Sequence, residues 1–158
     1  MDDFYFEDLQ VGQRYTSAGI TLTESSMVDF ALSYDPQPIH IDAHSAAAGP
    51  FGGLIASGIQ TLALACRLIQ LTKPWVRTCL GSPGIDELRW LKPVRAGDTL
   101  HVVTEIRDVR PSRSRPGRGT VLLHHQVVNQ DGDVVMTFTI LEMVACRAAA
   151  ATEPAPGA

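Results

Sequence analysis

One long apolar segment, residues 54–71, constrains the fold of this chain most, and it carries no charge until Arg67. Its length suits a buried helix better than a strand, and Pro74 marks its end. The chain after it has strand-like patterns at residues 84–91, 99–110, 120–129 and 134–145. Asp131-Gly132 predicts a tight hairpin between the last two. Strands that wrap one buried helix predict an α+β layer arrangement.

The helices and strands predicted before the apolar segment are shorter. We predict an irregular lead-in at residues 4–12 and a first strand at residues 14–23. A short helix capped by Thr23 or Ser25 follows to about Ser33, and residues 43–48 suit a helical turn. We expect residues 1–147 to form one domain and the Ala- and Pro-rich residues 148–158 to be disordered.

Composition excludes several classes of protein. The chain has 158 residues, of which 45% are hydrophobic, which is enough for a single core. Its formal net charge of −4 argues against nucleic-acid binding. The three cysteines are odd in number and not closely paired, which argues against a disulfide framework or a zinc site. The acidic N-terminus lacks a signal-peptide pattern, so we expect a cytoplasmic protein with reduced thiols, no bound metal and no membrane span.

The segment Asp35-Pro36-Gln37-Pro38-Ile39-His40 combines a carboxylate and an imidazole. Two prolines stiffen it, so we expect Asp35 and His40 to lie on a rigid, non-helical turn. A carboxylate and an imidazole that converge on one water molecule can polarise it and move a proton. The alternative is an ordinary loop in which the two side chains have no shared role.

The second motif is the glycine-rich entry to the apolar segment, Gly52-Gly53-Leu54-Ile55-Ala56-Ser57-Gly58. A helix that begins here exposes unpaired backbone N–H groups and the positive end of its dipole, which suit a developing oxyanion. A glycine in the first turns, at Gly58, indicates a close approach to the backbone. Tight packing between helix and sheet is the alternative explanation.

Together, the two motifs and the order of elements resemble the MaoC-like dehydratases, the (R)-specific enoyl-CoA hydratase group, over nearly the whole chain. The resemblance implies a hotdog fold, in which an antiparallel sheet wraps a long central helix. It implies reversible hydration of trans-2-enoyl-CoA to (3R)-hydroxyacyl-CoA, with coenzyme A as part of the substrate and no other cofactor. It also implies that Asp35 and His40 share a catalytic water, that the Gly58 N–H binds the thioester oxygen, and that subunits form homodimers or larger oligomers built from dimers.

Further residues are candidates for substrate binding. Gln37 stands where the family usually has Asn, and Ser57 stands where His is common. Gly53 belongs to the glycine-rich entry, and Cys66 lies two helical turns beyond Gly58, where it would line an acyl tunnel.

Arg113, Arg115 and Arg118 crowd one loop and match the phosphates of coenzyme A, unless that loop is simply solvated and mobile. A hotdog thioesterase and a non-catalytic acyl-CoA-binding subunit of a dehydratase complex remain the alternative functions.

Overall fold

A computed structural model describes residues 3–147. The expected disorder of residues 148–158 concerns a segment outside the described residues. The helices are α1 (Glu24–Tyr34), α2 (Pro38–Ile41), α3 (Ala43–Ala48) and α4 (Gly58–Thr72), after a short 3-10 turn at Phe6–Asp8. The strands are β1 (Arg14–Thr16), β2 (Ile20–Thr21), β3 (Cys79–Gly81), β4 (Ile85–Trp90), β5 (Thr99–Pro111), β6 (Arg118–Val128) and β7 (Val134–Ala145).

The strands form one seven-stranded sheet in the order β1-β5-β6-β7-β3, where β2 also pairs with β5 and β4 also pairs with β7. Neighbouring strands run antiparallel throughout. Asp131-Gly132 closes the β6–β7 hairpin as predicted, and the φ of Gly132 is 83°, a conformation that favours glycine.

Alternate residues of the three long strands are mostly buried, so the sheet presents one buried, mainly apolar face. Helix α4 packs its buried stripe, including Ala65, Leu68 and Ile69, against this face. Its other side carries exposed residues such as Arg67 and Gln70. The fold is the hotdog α+β arrangement, with the sheet wrapped around one central helix.

A group of buried polar residues lies between two apolar clusters, one around α4 and one around Trp75 and Leu123. Glu142 accepts hydrogen bonds from the Lys73 ammonium, at 2.7 Å, and from the Trp75 indole, at 2.8 Å. His125 is fully buried and its Nδ1 lies 2.9 Å from the Thr104 hydroxyl. The buried carboxylate is therefore paired and hydrogen-bonded, as buried charges need to be.

Helix α4 begins at Gly58, four residues later than the expected start at residue 54. Residues 54–57 are not helical, and two of their N–H groups bond to distant parts of the chain: that of Ile55 donates to the Ile39 carbonyl, and that of Ala56 donates to the Val94 carbonyl. The expected first strand is likewise two shorter strands, β1 and β2.

Candidate active site

The carboxylate of Asp35 lies where α1 ends. The Asp35 N–H still donates to the Ala31 carbonyl at 2.9 Å, but Pro36 disfavours helical backbone before it. Pro38 is the first residue of α2, where its missing N–H does no harm, and this helix carries His40. The expectation of a non-helical turn is therefore wrong for His40, because the second proline starts a helix of four residues.

His40 is held in one orientation. Its side chain is buried, and its Nδ1 lies 2.8 Å from the carbonyl oxygen of Ile55. Because a carbonyl only accepts, Nδ1 must carry the donated proton, and Nε2 of the neutral ring keeps its lone pair. That Nε2 lies 3.4 Å from Oδ2 of Asp35. The ring therefore presents its basic nitrogen beside the carboxylate.

The Asp35 carboxylate accepts two side-chain hydrogen bonds. The Ser57 hydroxyl donates to Oδ2 at 2.6 Å, and the Gln37 amide donates to Oδ1 at 2.8 Å. The hydrogen bond from Ser57 first, and then that from Gln37, lower the pKa of Asp35 although burial opposes the shift, and a positive charge on a protonated His40 ring would lower it further. Asp35 is therefore an anion at neutral pH, with both oxygens positioned.

The start of α4 completes the site. Ser57 is the N-cap, and its oxygen accepts from the Ile59 N–H at 3.2 Å. Gly58 follows as the first helical residue, and its N–H has no partner among residues 3–147. A free N–H at the positive end of a helix can bind an oxygen that gains negative charge.

These groups open on a cleft of about 500 Å³. Asp35, Gln37, His40 and Gly58 form its polar part. Its remaining lining, mostly apolar, comes from α4, the glycine-rich entry and the segments around β4 and β7: Phe51, Ile55, Ala56, Ile59, Thr61, Trp90, Leu91, Lys92, Pro93, Val94 and Val135. The arrangement suits an apolar substrate with one polar, reactive end.

The glycine-rich entry is shaped by backbone conformation. Gly52 and Gly53 have φ values of 64° and 153°, which other residues rarely adopt. The guanidinium of Arg95 donates to the carbonyls of Phe51 and Leu54 and so holds the turn. Gly53 lies beside Arg95 and outside the cleft lining, so its role is to let the turn form.

Two other candidate residues lie outside the cleft of this chain. The Ser57 hydroxyl is fully buried and bonds to Asp35 rather than lining the cleft. Cys66 is eight residues beyond Gly58, or about 12 Å along the helix. The cleft reaches only to Thr61, so Cys66 does not line it, and burial raises the pKa of the Cys66 thiol.

The arginine-rich loop lies far from the cleft within one chain. Arg113 and Arg115 lie in the turn between β5 and β6, and Arg118 pairs with Ala145. Val135, which lines the cleft, is ten residues from Ala145 along β7, or about 33 Å in a strand. A single chain therefore does not bring these arginines to the cleft.

The family is decided by comparison with known proteins. A family model described as MaoC like domain matches residues 8–129. The chain belongs to the MaoC-like domain family.

Within residues 3–147 no helix is long and apolar enough to cross a membrane, and no group of three acidic, histidine or cysteine side chains is placed to hold a metal ion.

Similar proteins with MaoC-like or hydratase names support this membership. A MaoC-like dehydratase structure from Rhodospirillum rubrum is 39% identical, with a TM-score of 0.86, covering 91% of this chain and 98% of its own. R-Hydratase PhaJ1 from Pseudomonas aeruginosa is 28% identical, with a TM-score of 0.73 and coverage of 91% and 86%. A 3-hydroxybutyryl-CoA dehydratase from Methylorubrum extorquens is 35% identical over 116 residues, 70% of this chain and 69% of its own. At the family level the activity is that of a hydro-lyase.

Sequence reasoning missed the residues of this MaoC-like site that come from the second half of the chain. Arg95 holds the glycine-rich entry, and Trp90 donates its indole N–H to the Gly58 carbonyl at 3.0 Å. Neither lies in a recognisable local motif. The pairing of β4 with β7 brings Trp90 next to the start of α4, and the bond from the Ala56 N–H to the Val94 carbonyl brings Arg95 there; a single sequence reveals neither contact.

Proposed function

We propose that this chain catalyses the reversible hydration of a trans-2-enoyl thioester to a (3R)-3-hydroxyacyl thioester, with coenzyme A as the carrier. One observation carries the proposal: the Asp35 anion and the basic Nε2 of His40 lie 3.4 Å apart in a cleft that also contains the free N–H of Gly58. The hydratase and dehydratase names of the relatives support the same reaction.

In the hydration direction, Asp35 and Nε2 of His40 both accept hydrogen bonds from one water. The lowered pKa of Asp35 makes its carboxylate a weaker base than an ordinary one, because both of its oxygens accept hydrogen bonds. Its part is therefore to orient the water. The water oxygen then bonds to C3 while its proton moves to His40 Nε2. The imidazolium, stabilised by the adjacent carboxylate, delivers that proton to C2. Water has then been added across the double bond, and both residues are restored.

Negative charge develops on the thioester oxygen when the water oxygen attacks C3. The Gly58 N–H, fixed at the first position of α4, is the donor that this oxygen would meet. Loss of one such donor typically reduces kcat by about 10²–10³-fold. The reaction needs a proton carrier, an oriented water and one oxyanion donor, and the cleft supplies a group for each role.

The test is an assay of enoyl-thioester absorbance with Asp35→Asn and His40→Ala. Each variant should lose at least about 10²-fold in rate, the usual range for a general acid–base group. Asp29→Asn and His44→Ala are matched controls, because both residues are exposed on neighbouring helices. Near wild-type rates in folded Asp35 and His40 variants would refute the mechanism. Release of free thiol instead of loss of the double bond would indicate the thioesterase alternative.

We also propose that the protein acts as a homodimer in the cytoplasm. Exposed apolar side chains on and near β4, an edge strand, support pairing with a second copy: Leu80, Ile85 and Leu91. The three cysteines are all free, as expected for a reducing compartment. Light scattering on the purified protein would measure the mass, and a monomeric mass at assay concentration would refute the dimer.

A further inference from the structure

Trp90 lies directly against the first turn of α4. Its indole N–H donates to the Gly58 carbonyl at 3.0 Å. A Cβ atom on Gly58 would lie 2.6 Å from Cε2 and Nε1 of the ring, closer than non-bonded atoms approach. The indole therefore fills the space beside the residue whose N–H faces the reacting thioester in the proposed mechanism.

The strand that carries Trp90 is built to place it there. Strand β4 pairs with β7 on one side, and its register shifts between Asp86 and Arg89. Within this bulge Glu87 has a φ of 53°, an uncommon conformation for a residue other than glycine. Pairing resumes at Arg89 and Thr137, and Trp90 then lies opposite Met136. The bulge thus sets the side to which Trp90 points.

The indole is both part of the cleft wall and open to solvent. Trp90 is 53% exposed, although large apolar rings are mostly covered in folded proteins. It lines the cleft next to Leu91 and Pro93, which extend the same apolar wall. A half-exposed aromatic ring fixed by a hydrogen bond beside a reaction centre is placed to contact the substrate.

The size of the cleft limits what can lie against this wall. Its volume of about 500 Å³ is in the lower half of the range for ligand pockets, about 300–1,000 Å³. The same space must admit the end of the pantetheine arm as well as the acyl group. Little room is left for a long acyl chain while the indole stays on Gly58.

We propose that Trp90 is a specificity-determining residue and that its indole restricts the site to short-chain enoyl thioesters. This inference rests on the proposed hydratase function. The hydrogen bond to Gly58 holds the ring in the cleft, and the ring takes the space that further methylene groups would need.

The test compares turnover of crotonyl-CoA and trans-2-octenoyl-CoA by the full-length protein. Trp90→Ala should raise the ratio of kcat/KM for octenoyl-CoA to that for crotonyl-CoA by at least about tenfold, the lower end of discrimination by one methylene in an apolar pocket. Trp90→Phe keeps a smaller ring but lacks the N–H that donates to Gly58, so its ratio should lie between those of the wild type and Trp90→Ala. Leu71→Ala removes an exposed apolar side chain outside both the cleft and the proposed dimer surface and should leave the ratio unchanged.

Three outcomes separate this inference from the proposed function. An equal fall for both substrates in Trp90→Ala would mean that the indole only supports the fold, and would overturn the inference. A higher KM shared by both chain lengths would place the ring against the carrier arm and would also overturn it. If the wild type hydrates neither substrate, the proposed function fails and the inference fails with it.

Fluorescence gives a readout that does not depend on turnover. The chain has two tryptophans, and Trp75 is completely buried. Titration with butyryl-CoA, which lacks the reacting double bond, should change the emission of the wild type and of Leu71→Ala. It should leave Trp90→Phe nearly unchanged. No change in the wild type at concentrations that inhibit crotonyl-CoA turnover would contradict contact between the indole and the acyl group.

Discussion

Ser57 joins the carboxylate of Asp35 to the start of α4 through one hydroxyl group. The hydroxyl donates to Asp35 and accepts from the Ile59 N–H, so both of its usual roles are used within the protein. Its side chain is fully buried. We therefore interpret Ser57 as a positioning residue that fixes the charge state and place of Asp35 relative to Gly58.

The first prediction concerns the pH dependence of activity in Ser57→Ala. The Ser57 hydrogen bond is the largest cause of the lowered pKa of Asp35, so its loss should raise that pKa. If the ionised carboxylate is required, activity is lost as the pH falls through the pKa of Asp35. The mechanism also needs an unprotonated Nε2 on His40, so the acid limb of the kcat/KM profile contains two ionisations, and the one due to Asp35 should move to higher pH.

Gln37→Ala provides a graded comparison. The Gln37 amide is the second cause of the shift, so this variant should move the acid limb in the same direction but less far. Ser57→Ala also loses a helix cap worth about 0.5–2 kcal/mol, so rates are measured well below its melting temperature. An acid limb that stays in place or moves to lower pH would contradict the role of Ser57.

At the scale of the elements, the long strands were the most predictable part of the fold. Strand β7 spans the expected residues 134–145, and β5 ends one residue beyond the expected 99–110. Alternating burial and the Asp131-Gly132 turn define their faces and ends. The three-residue strand β3 was missed, because so short a segment has no period to detect.

The polar part of the candidate site was also more predictable than its apolar walls. Asp35, His40 and Gly58 lie in two local motifs, and each motif is read from consecutive residues. The apolar start at residues 54–57 looked helical because composition does not show that its N–H groups bond across to Ile39 and Val94. The positions of Trp90 and Arg95 depend on pairing between distant segments, which no local pattern encodes.

The contact between α4 and β4 leads to a second prediction. The sequence alone favours a neutral or stabilising Gly58→Ala, because alanine is the better helix former. The indole of Trp90 changes this expectation, because the new methyl group would overlap it. Gly58→Ala should therefore lower the free energy of unfolding by about 1–3 kcal/mol, the usual cost of overpacking.

A double-mutant cycle isolates that contact. In the Trp90→Ala background the methyl group meets no indole, so the loss of stability from Gly58→Ala should shrink or reverse. Urea unfolding of the four proteins measures the coupling. Equal losses in both backgrounds would mean that Gly58 meets a different obstacle.

For the whole molecule, the buried polar residues between the two apolar clusters link stability to pH. Burial, more than the charges of His124 and Lys73, lowers the pKa of His125 to about 3. No other described residue hydrogen-bonds to its Nε2. The ring thus stays neutral in the folded state over a pH range in which the unfolded chain binds a proton.

The last prediction follows from this difference. Below about pH 6.5 the unfolded state binds a proton at His125, whereas the folded state does not bind it until about pH 3. Stability should therefore fall as the pH drops through this window, by at most about 5 kcal/mol at 1.36 kcal/mol per pH unit. Urea unfolding across the window should show a shallower slope in His125→Gln. His124→Gln, on the opposite face of β6, should keep the wild-type slope.

The central position of β6 means that its backbone and the backbone at the cleft should open at different rates. Because β6 is paired along its length with β5 on one side and β7 on the other, its amide protons should exchange with solvent only when the whole protein unfolds. The entry segment at residues 51–57 is held by a few isolated hydrogen bonds, so it can open while the rest of the protein stays folded. Deuterium uptake therefore separates local opening at the cleft from global unfolding. A thioester bound in the cleft should slow amide exchange in the entry segment far more than amide exchange in β6.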